Sequence, residues 1–156
     1  MARGVSPRVD RLAVFLATGS YVGYLPVAPG TFGSLLAIPL LLGLDHAGLP
    51  PALLVAVVVG AGLVAMPICG RAGRVFGVVD SPRIVLDEVC GMLFACASLP
   101  ASGPVLLCGF LAFRFFDVLK PFPVGWFDRH VKNGVGVVAD DVVAGIYAHL
   151  VVRVLT

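Results

Sequence analysis

Long apolar stretches, separated by short groups of charged residues, dominate this sequence. No Asp, Glu, Lys or Arg occurs over residues 12–44, 46–70 or 89–113. Each of these gaps is long enough to contain a membrane-crossing segment, which needs roughly 20 apolar residues. The pattern therefore predicts elements that lie in an apolar environment.

Stretches rich in proline and glycine divide the apolar sequence into segments. The breaks fall at 24–34, 45–51, 100–104 and 120–126. Between the breaks, the segment lengths and the mixture of Leu, Ala and Val favour helices over alternating strands. We therefore predict an all-α fold, a compact helical bundle that forms one domain over 1–156. The predicted helices cover 12–24, 34–44, 52–70, 84–98, 105–119 and 137–155.

The composition sharpens this prediction. Hydrophobic residues make up 59% of the chain, charged residues make up 13%, and the mean hydropathy is +1.02. The hydrophobic fraction is larger, and the charged fraction smaller, than is usual for a soluble domain. We therefore expect an integral membrane protein. Segments 12–24 and 34–44 are too short to cross alone, and 84–98 and 105–119 are marginal. Short or broken helices are therefore expected, and the number of spans and the oligomeric state stay open.

The basic residues predict an orientation in the membrane. They gather in three groups, which are Arg3, Arg8 and Arg11, then Arg71, Arg74 and Arg83, then Arg114, Lys120, Arg129 and Lys132. The turns at 45–51 and 100–104 contain no Lys or Arg. By the positive-inside rule the connections that contain basic residues are cytoplasmic. This orientation requires segments 12–24 and 34–44 together to cross the membrane only once. The net charge is only +2 and the three basic groups are spread along the chain, so we expect no nucleic-acid partner.

Two adjacent acid pairs interrupt the apolar segments, Asp87 with Glu88 and Asp140 with Asp141. A glycine follows Asp87 by four residues and another follows Asp141 by four, so each pair lies one turn from a notch where a second backbone can approach. If the notches meet, the acids converge, and a hard divalent cation such as Mg²⁺ would neutralise them. The alternative is that the acids sit at helix N-termini, where the helix dipole favours negative charge.

Two further groups of residues could bind a phosphate. Arg114, Asp117 and Lys120 recur every three residues, with Asp117 able to orient Arg114 or to join the metal site. Alternatively, these side chains extend to the membrane surface. The stretch 26–34 could form a turn whose backbone N–H groups hold an anion, although a plain helix break is an equal alternative.

Three blocks of the sequence resemble the phosphatidylglycerophosphatase A family. They are "GYLPVAPGTFGSLLAIP", "IVLDEVCGM" and "FRFFDVLKPFPVGWFDRHVKNGVGVVADDVVAGIYA", in the family's order, and the resemblance extends over roughly 20–148. The sequence departs from the family pattern at Val138 and Ala139, where we expect a bulkier pair. The positions that fall on family motifs are Pro29, Gly30, Thr31, Gly33, Ser34, Asp87, Glu88, Gly91, Arg114, Asp117, Lys120, Pro121, Gly134, Gly136, Asp140, Asp141 and Gly145.

This resemblance implies a magnesium-dependent lipid phosphatase of the bacterial inner membrane. The substrate would be a phospholipid in the bilayer, phosphatidylglycerophosphate, with the active site near the cytoplasmic face. The expected metal ligands are Asp87, Glu88, Asp140 and Asp141. The expected phosphate-binding residues are Gly30, Thr31, Gly33, Ser34, Arg114 and Lys120, and the catalytic set consists of the four acids with Arg114, Asp117 and Lys120.

Two questions stay open at this point. Attack on phosphorus by water and attack by a carboxylate, giving an aspartyl-phosphate, are both compatible with these residues. A different class of function, a small membrane protein that conducts ions or protons through embedded carboxylates, is the alternative to an enzyme.

Overall fold

The computed structural model describes residues 6–156, which form seven α-helices, one short 3₁₀ turn and no strand. The all-α prediction is confirmed over this range, and Arg3 lies outside it. The helices are α1 (Pro7–Ala17), α2 (Pro29–His46), α3 (Pro51–Phe76), α4 (Leu86–Cys96), α5 (Gly103–Leu119), α6 (Val124–His130) and α7 (Gly134–Leu155), and the 3₁₀ turn is Val22–Tyr24.

Several helix boundaries differ from the prediction, and proline explains two of the helix starts. Pro29 opens α2 and Pro123 immediately precedes α6, positions that suit proline because the first N–H groups of a helix have no intrahelical partner. The breaks at 24–34 and 120–126 therefore contain helix starts, and α6 was not predicted. In the predicted segment 12–24, the α-helix ends at Ala17 and a turn follows.

Helix α4 occupies the centre of the fold. It contacts α1, α2, α3, α5 and α7, and eight of its eleven residues are buried. Its closest neighbour is α7, where the backbone of Gly145 lies so near that a Cβ there would collide with the carbonyl oxygen of Gly91. A Cβ at Gly91 would likewise lie 2.8 Å from the carbonyl oxygen of Asp141. The two glycine notches therefore meet, which was the condition for the acids to converge.

Two helices, α3 and α7, are long and apolar enough to cross a membrane by length and composition. Within α3, only 22% of an 18-residue apolar stretch is buried in the protein, against 50% of the corresponding stretch of α7. Large apolar side chains therefore remain exposed along α3, including Leu63 and Val64, each at 60%. Both the apolar surface and the helix lengths are consistent with membrane association.

The α4–α7 crossing predicts a position-specific cost for adding one methyl group. We expect Gly145→Ala to destabilise the fold by about 1–3 kcal/mol, because the new methyl collides with rigid backbone rather than with a flexible side chain. Gly60→Ala on α3 is the matched control, since no atom lies within 4 Å of a Cβ built there. Thermal unfolding in one detergent measures both variants. Equal melting temperatures for the two would contradict the described crossing.

Candidate functional site

Three carboxylates from two helices lie together beside the α4–α7 crossing. Asp87 and Glu88 belong to the first turn of α4, and Asp141 lies two turns into α7. One oxygen from each lies within 4.8 Å of the others. Asp87 and Asp141 are buried, and Glu88 is half-buried. We call these three residues the carboxylate cluster.

The carboxylate cluster is poorly neutralised by the residues around it. Within residues 6–156, the buried oxygens Glu88 Oε2 and Asp141 Oδ2 have no hydrogen-bond partner. Burial raises the pKa of Asp87, and the nearby charge of Glu88 raises it further. Burial also raises the pKa of Glu88. Carboxylate oxygens that are close together, buried and unpaired fit a hard divalent cation such as Mg²⁺.

Helix α5 supplies a cation at the edge of the carboxylate cluster. Arg114 Nη1 donates a hydrogen bond to Asp117 Oδ2 at 2.6 Å, one turn along the helix. The charges of both residues act on Glu88, and that of Asp117 also acts on Asp141. Asp117 thus orients the guanidinium, one of the two roles that the sequence left open, while its own charge adds to the negative field of the cluster.

The start of α2 closes another side of the carboxylate cluster. Gly30 lies against the carboxylate, because a Cβ there would collide with Glu88 Oε1 and would lie 3.5 Å from Arg114 Nη1. The absence of a side chain at Gly30 therefore leaves room for the acid. The first block of the sequence and the other two meet at this point, which brings Gly30, Glu88 and Arg114 together.

The other residues of the first block contribute to packing and to hydrogen bonds within α2. A Cβ at Gly33 would lie 2.7 Å from Val85 Cβ, so this glycine permits close packing before α4. The buried Ser34 hydroxyl donates to the Gly30 carbonyl oxygen at 3.0 Å. The N–H of Thr31 is bonded to Ala28 O at 3.0 Å. Residues 29–34 are thus the first turns of α2 rather than an open turn of inward amides.

Asp140 does not join the carboxylate cluster. Adjacent residues of a helix point about 100° apart, so Asp140 and Asp141 face different neighbours. Asp140 Oδ2 accepts a hydrogen bond from Lys120 Nζ at 3.0 Å, and the same ammonium lies 2.9 Å from Asp128 Oδ1. We call Lys120, Asp128 and Asp140 the lysine cluster.

Lys120 reaches these acids because the chain turns sharply at the end of α5. Its backbone is left-handed, with φ of +48°, which carries its side chain away from the stripe of Arg114 and Asp117. Burial alone would lower the pKa of Lys120, but the hydrogen bond to Asp128 and the charge of Asp140 outweigh burial and raise it. The lysine therefore stays charged. Sequence reasoning missed Asp128, which lies in α6, and the acid within the third sequence block was its only signal.

The helix-dipole alternative accounts for part of this arrangement. Asp87 and Glu88 do lie in the first turn of α4, where negative charge is favoured. The second acid pair does not, because α7 begins seven residues before Asp141. The side chain of Asn133 caps that helix by accepting hydrogen bonds from Val135 N and Gly136 N. The dipole therefore does not explain why Asp141 is buried next to α4.

Comparisons with known proteins agree with the resemblance seen in the sequence. The family model described as PgpA, phosphatidylglycerophosphatase A, matches residues 15–156. The chain is 39% identical to the phosphatidylglycerophosphatase A of Escherichia coli over 84% of this chain and 76% of the relative. It is also 39% identical to that of Haemophilus influenzae, over 88% and 84%.

A third relative carries a different name. A Bacteroides thetaiotaomicron protein, provisionally named as a phosphatidylinositol-3-phosphatase, is 34% identical over 94% of this chain and 95% of its own length. Among solved structures, no significant match is found.

The separation of the two clusters predicts that neighbouring acids differ in metal binding. We expect Asp141→Asn to weaken Mn²⁺ binding by about 100-fold, because it removes a charged ligand, whereas Asp140→Asn changes it by less than about 10-fold. Electron paramagnetic resonance of free Mn²⁺, titrated into each purified variant, gives the affinities. Equal losses for the two variants would show that both acids hold the ion.

The contact between α2 and Glu88 predicts an effect of the smallest possible side chain. Gly30→Ala should displace the Glu88 carboxylate and weaken Mn²⁺ binding by about 10-fold or more. Gly43→Ala in the same helix is the matched control, because nothing lies within 4 Å of its Cβ. The same titration checks both variants, and wild-type affinity in Gly30→Ala would refute the close approach of α2 to the acid.

Proposed function

Because this chain belongs to the phosphatidylglycerophosphatase A family, we propose that it is a lipid phosphatase that hydrolyses phosphatidylglycerophosphate to phosphatidylglycerol and phosphate. One observation carries this proposal beyond the family match. The acids of the second and third sequence blocks, on different helices, lie within 4.8 Å of one another with Arg114 beside them. A negative cluster next to a cation is the arrangement that a metal-assisted phosphate hydrolysis needs.

The proposed metal is Mg²⁺, held by Asp87, Glu88 and Asp141. The fit rests on the oxygen donors and on the unpaired oxygens of Glu88 and Asp141. When bound, Mg²⁺ would supply Lewis-acid stabilisation of the phosphate oxygens and of an attacking water. Asp140 is proposed to act through Lys120 instead of binding the metal directly, since its carboxylate is already paired with that ammonium.

The remaining residues are proposed to bind and orient the phosphate. The Arg114 guanidinium, fixed by Asp117, presents a planar set of donors that matches phosphate oxygens. Gly30 leaves space next to it. Lys120 adds positive charge from the side of the lysine cluster, at a distance set by Asp128 and Asp140. These groups would stabilise the negative charge that develops on phosphorus-bound oxygens.

A membrane location is part of the proposal. We infer a helical bundle integral to the bacterial inner membrane, with α3 and α7 as spans. The acids of the carboxylate cluster lie at the start of α4 and near the start of α7, and the basic residues Arg71 and Arg74 lie near the end of α3. By the positive-inside rule this end is cytoplasmic. The phosphate of a lipid substrate, at headgroup depth, would then reach the acids while the acyl chains of the lipid stay in the bilayer.

Phosphate release from phosphatidylglycerophosphate tests the function. We expect activity with Mg²⁺, loss with a chelator, and a decrease of roughly 100-fold or more in Glu88→Gln and Asp141→Asn, since each removes several kcal/mol of stabilisation of the transition state. Asp45→Asn, an exposed acid at the opposite end of α2, is the control and should keep wild-type activity.

Two additional measurements separate the alternatives. Parallel assays with phosphatidylinositol 3-phosphate show whether the lipid preference follows the Escherichia coli or the Bacteroides relative. Ion flux in liposomes tests the conducting alternative. Flux without phosphate release, or full activity in both acid variants, would overturn the proposed function.

A further inference from the structure

A groove between α1 and α3 combines an apolar wall with two arginines. It has a volume of about 340 Å³ and is lined by Val9, Leu12 and Leu16 of α1 and by Ile68 of α3, among others. Arg71 and Arg74 complete its lining, and the same two arginines line a second cavity of about 370 Å³ that also includes Asp10. The two cavities thus share their basic residues, so that an apolar groove continues into a charged one.

The arginines of this groove retain hydrogen-bonding capacity. Arg71 Nε donates to Asp10 Oδ1 at 2.8 Å, and the Arg71 side chain remains 22% exposed. Arg74 is exposed, and no salt bridge to it occurs in this range. Because both arginines line the cavities, the accessible parts of their guanidinium groups can donate hydrogen bonds to an anion bound there.

The groove lies on a different side of α3 from the carboxylate cluster. Cys69 is buried and close enough to Glu88 and Asp141 for their charges to act on its thiol. Arg71 follows Cys69 by two residues, about 200° around the helix, and therefore faces away from the acids. A ligand at Arg71 and Arg74 would not occupy the proposed substrate position.

The α1 helix cannot be a membrane span. Its 11 residues extend only about 16 Å, roughly half of the hydrocarbon thickness. It buries Ala13 and Ala17 and leaves Leu12 56% exposed, with Arg8 and Arg11 also exposed. An amphipathic helix with basic residues at its polar edge is typical of an element that lies in the membrane interface.

We propose that the groove between α1 and α3 binds an anionic glycerophospholipid of the bilayer, with an acyl chain along α1 and the phosphate diester at Arg71 and Arg74. Charge complementarity selects this occupant, because the groove offers cations and apolar surface and its one acid, Asp10, is already paired with Arg71. The site is separate from the catalytic one. A bound lipid would add to the packing and the Asp10–Arg71 salt bridge that already hold α1 against α3.

Fluorescence quenching by brominated lipids tests this site without any turnover. Trp126 is the single native tryptophan, so Trp126→Phe with Phe15→Trp places one reporter on α1, adjacent in sequence to the groove residue Leu16. The protein is reconstituted in vesicles of phosphatidylcholine with brominated phosphatidylglycerol, or with brominated phosphatidylcholine for comparison. We expect phosphatidylglycerol to bind near the reporter about five-fold or more tightly than phosphatidylcholine.

Variants separate this site from general lipid contact. Arg74→Gln, which breaks no salt bridge in residues 6–156, should lower the preference by about five-fold, and Arg74→Lys should retain it. Leu63→Trp in the same Trp126→Phe background is the control on the exposed middle of α3, where no lipid preference is expected. Equal quenching by both lipids at Phe15→Trp would overturn the proposal. A preference that persists in Arg74→Gln, or that is equally strong at Leu63→Trp, would also do so.

Discussion

Electrostatic repulsion among Asp87, Glu88 and Asp141 is the constraint on which the rest of this structure depends. Three buried or half-buried carboxylates from two helices oppose the packing that brings them together. The fold holds them in place through the close crossing of α4 and α7, where Gly91 and Gly145 let the backbones touch. The free energy of that packing offsets the repulsion, and a divalent cation would remove it. The same helix crossing therefore holds the fold together and positions the proposed metal ligands.

The second acid of the α7 pair illustrates how the fold separates two tasks. Asp140 and Asp141 are neighbours in sequence, yet one is paired with Lys120 and the other faces α4. Lys120 is in turn held by Asp128, so a charged lysine is fixed one residue away from the proposed metal ligand. The arrangement places positive charge near the site without letting the lysine neutralise the carboxylate cluster itself. A lysine inside that cluster would compete with the metal.

Much of this site was predictable from local sequence spacing, and the exceptions have physical causes. The four-residue interval was sufficient to place Gly91 and Gly145 each one turn from an acid, because helical periodicity fixes which residues share a face, but it left open whether the two glycines meet. The same periodicity points Asp140 and Asp141 about 100° apart, so the two acids face different partners although the sequence pairs them. The partner of Lys120 depended on a left-handed backbone turn, and α6 depended on a proline before a helix start. Neither is encoded in hydrophobic pattern.

We propose that one divalent cation lies among the acids of α4 and α7. Anomalous diffraction from crystals of the protein grown with Mn²⁺ tests it most directly, since the ion's position is located without reference to activity. We predict a single strong peak in contact with Asp87, Glu88 and Asp141. A peak at Asp128 and Asp140 instead, or no peak near α4 in protein that binds Mn²⁺ in solution, would contradict the account.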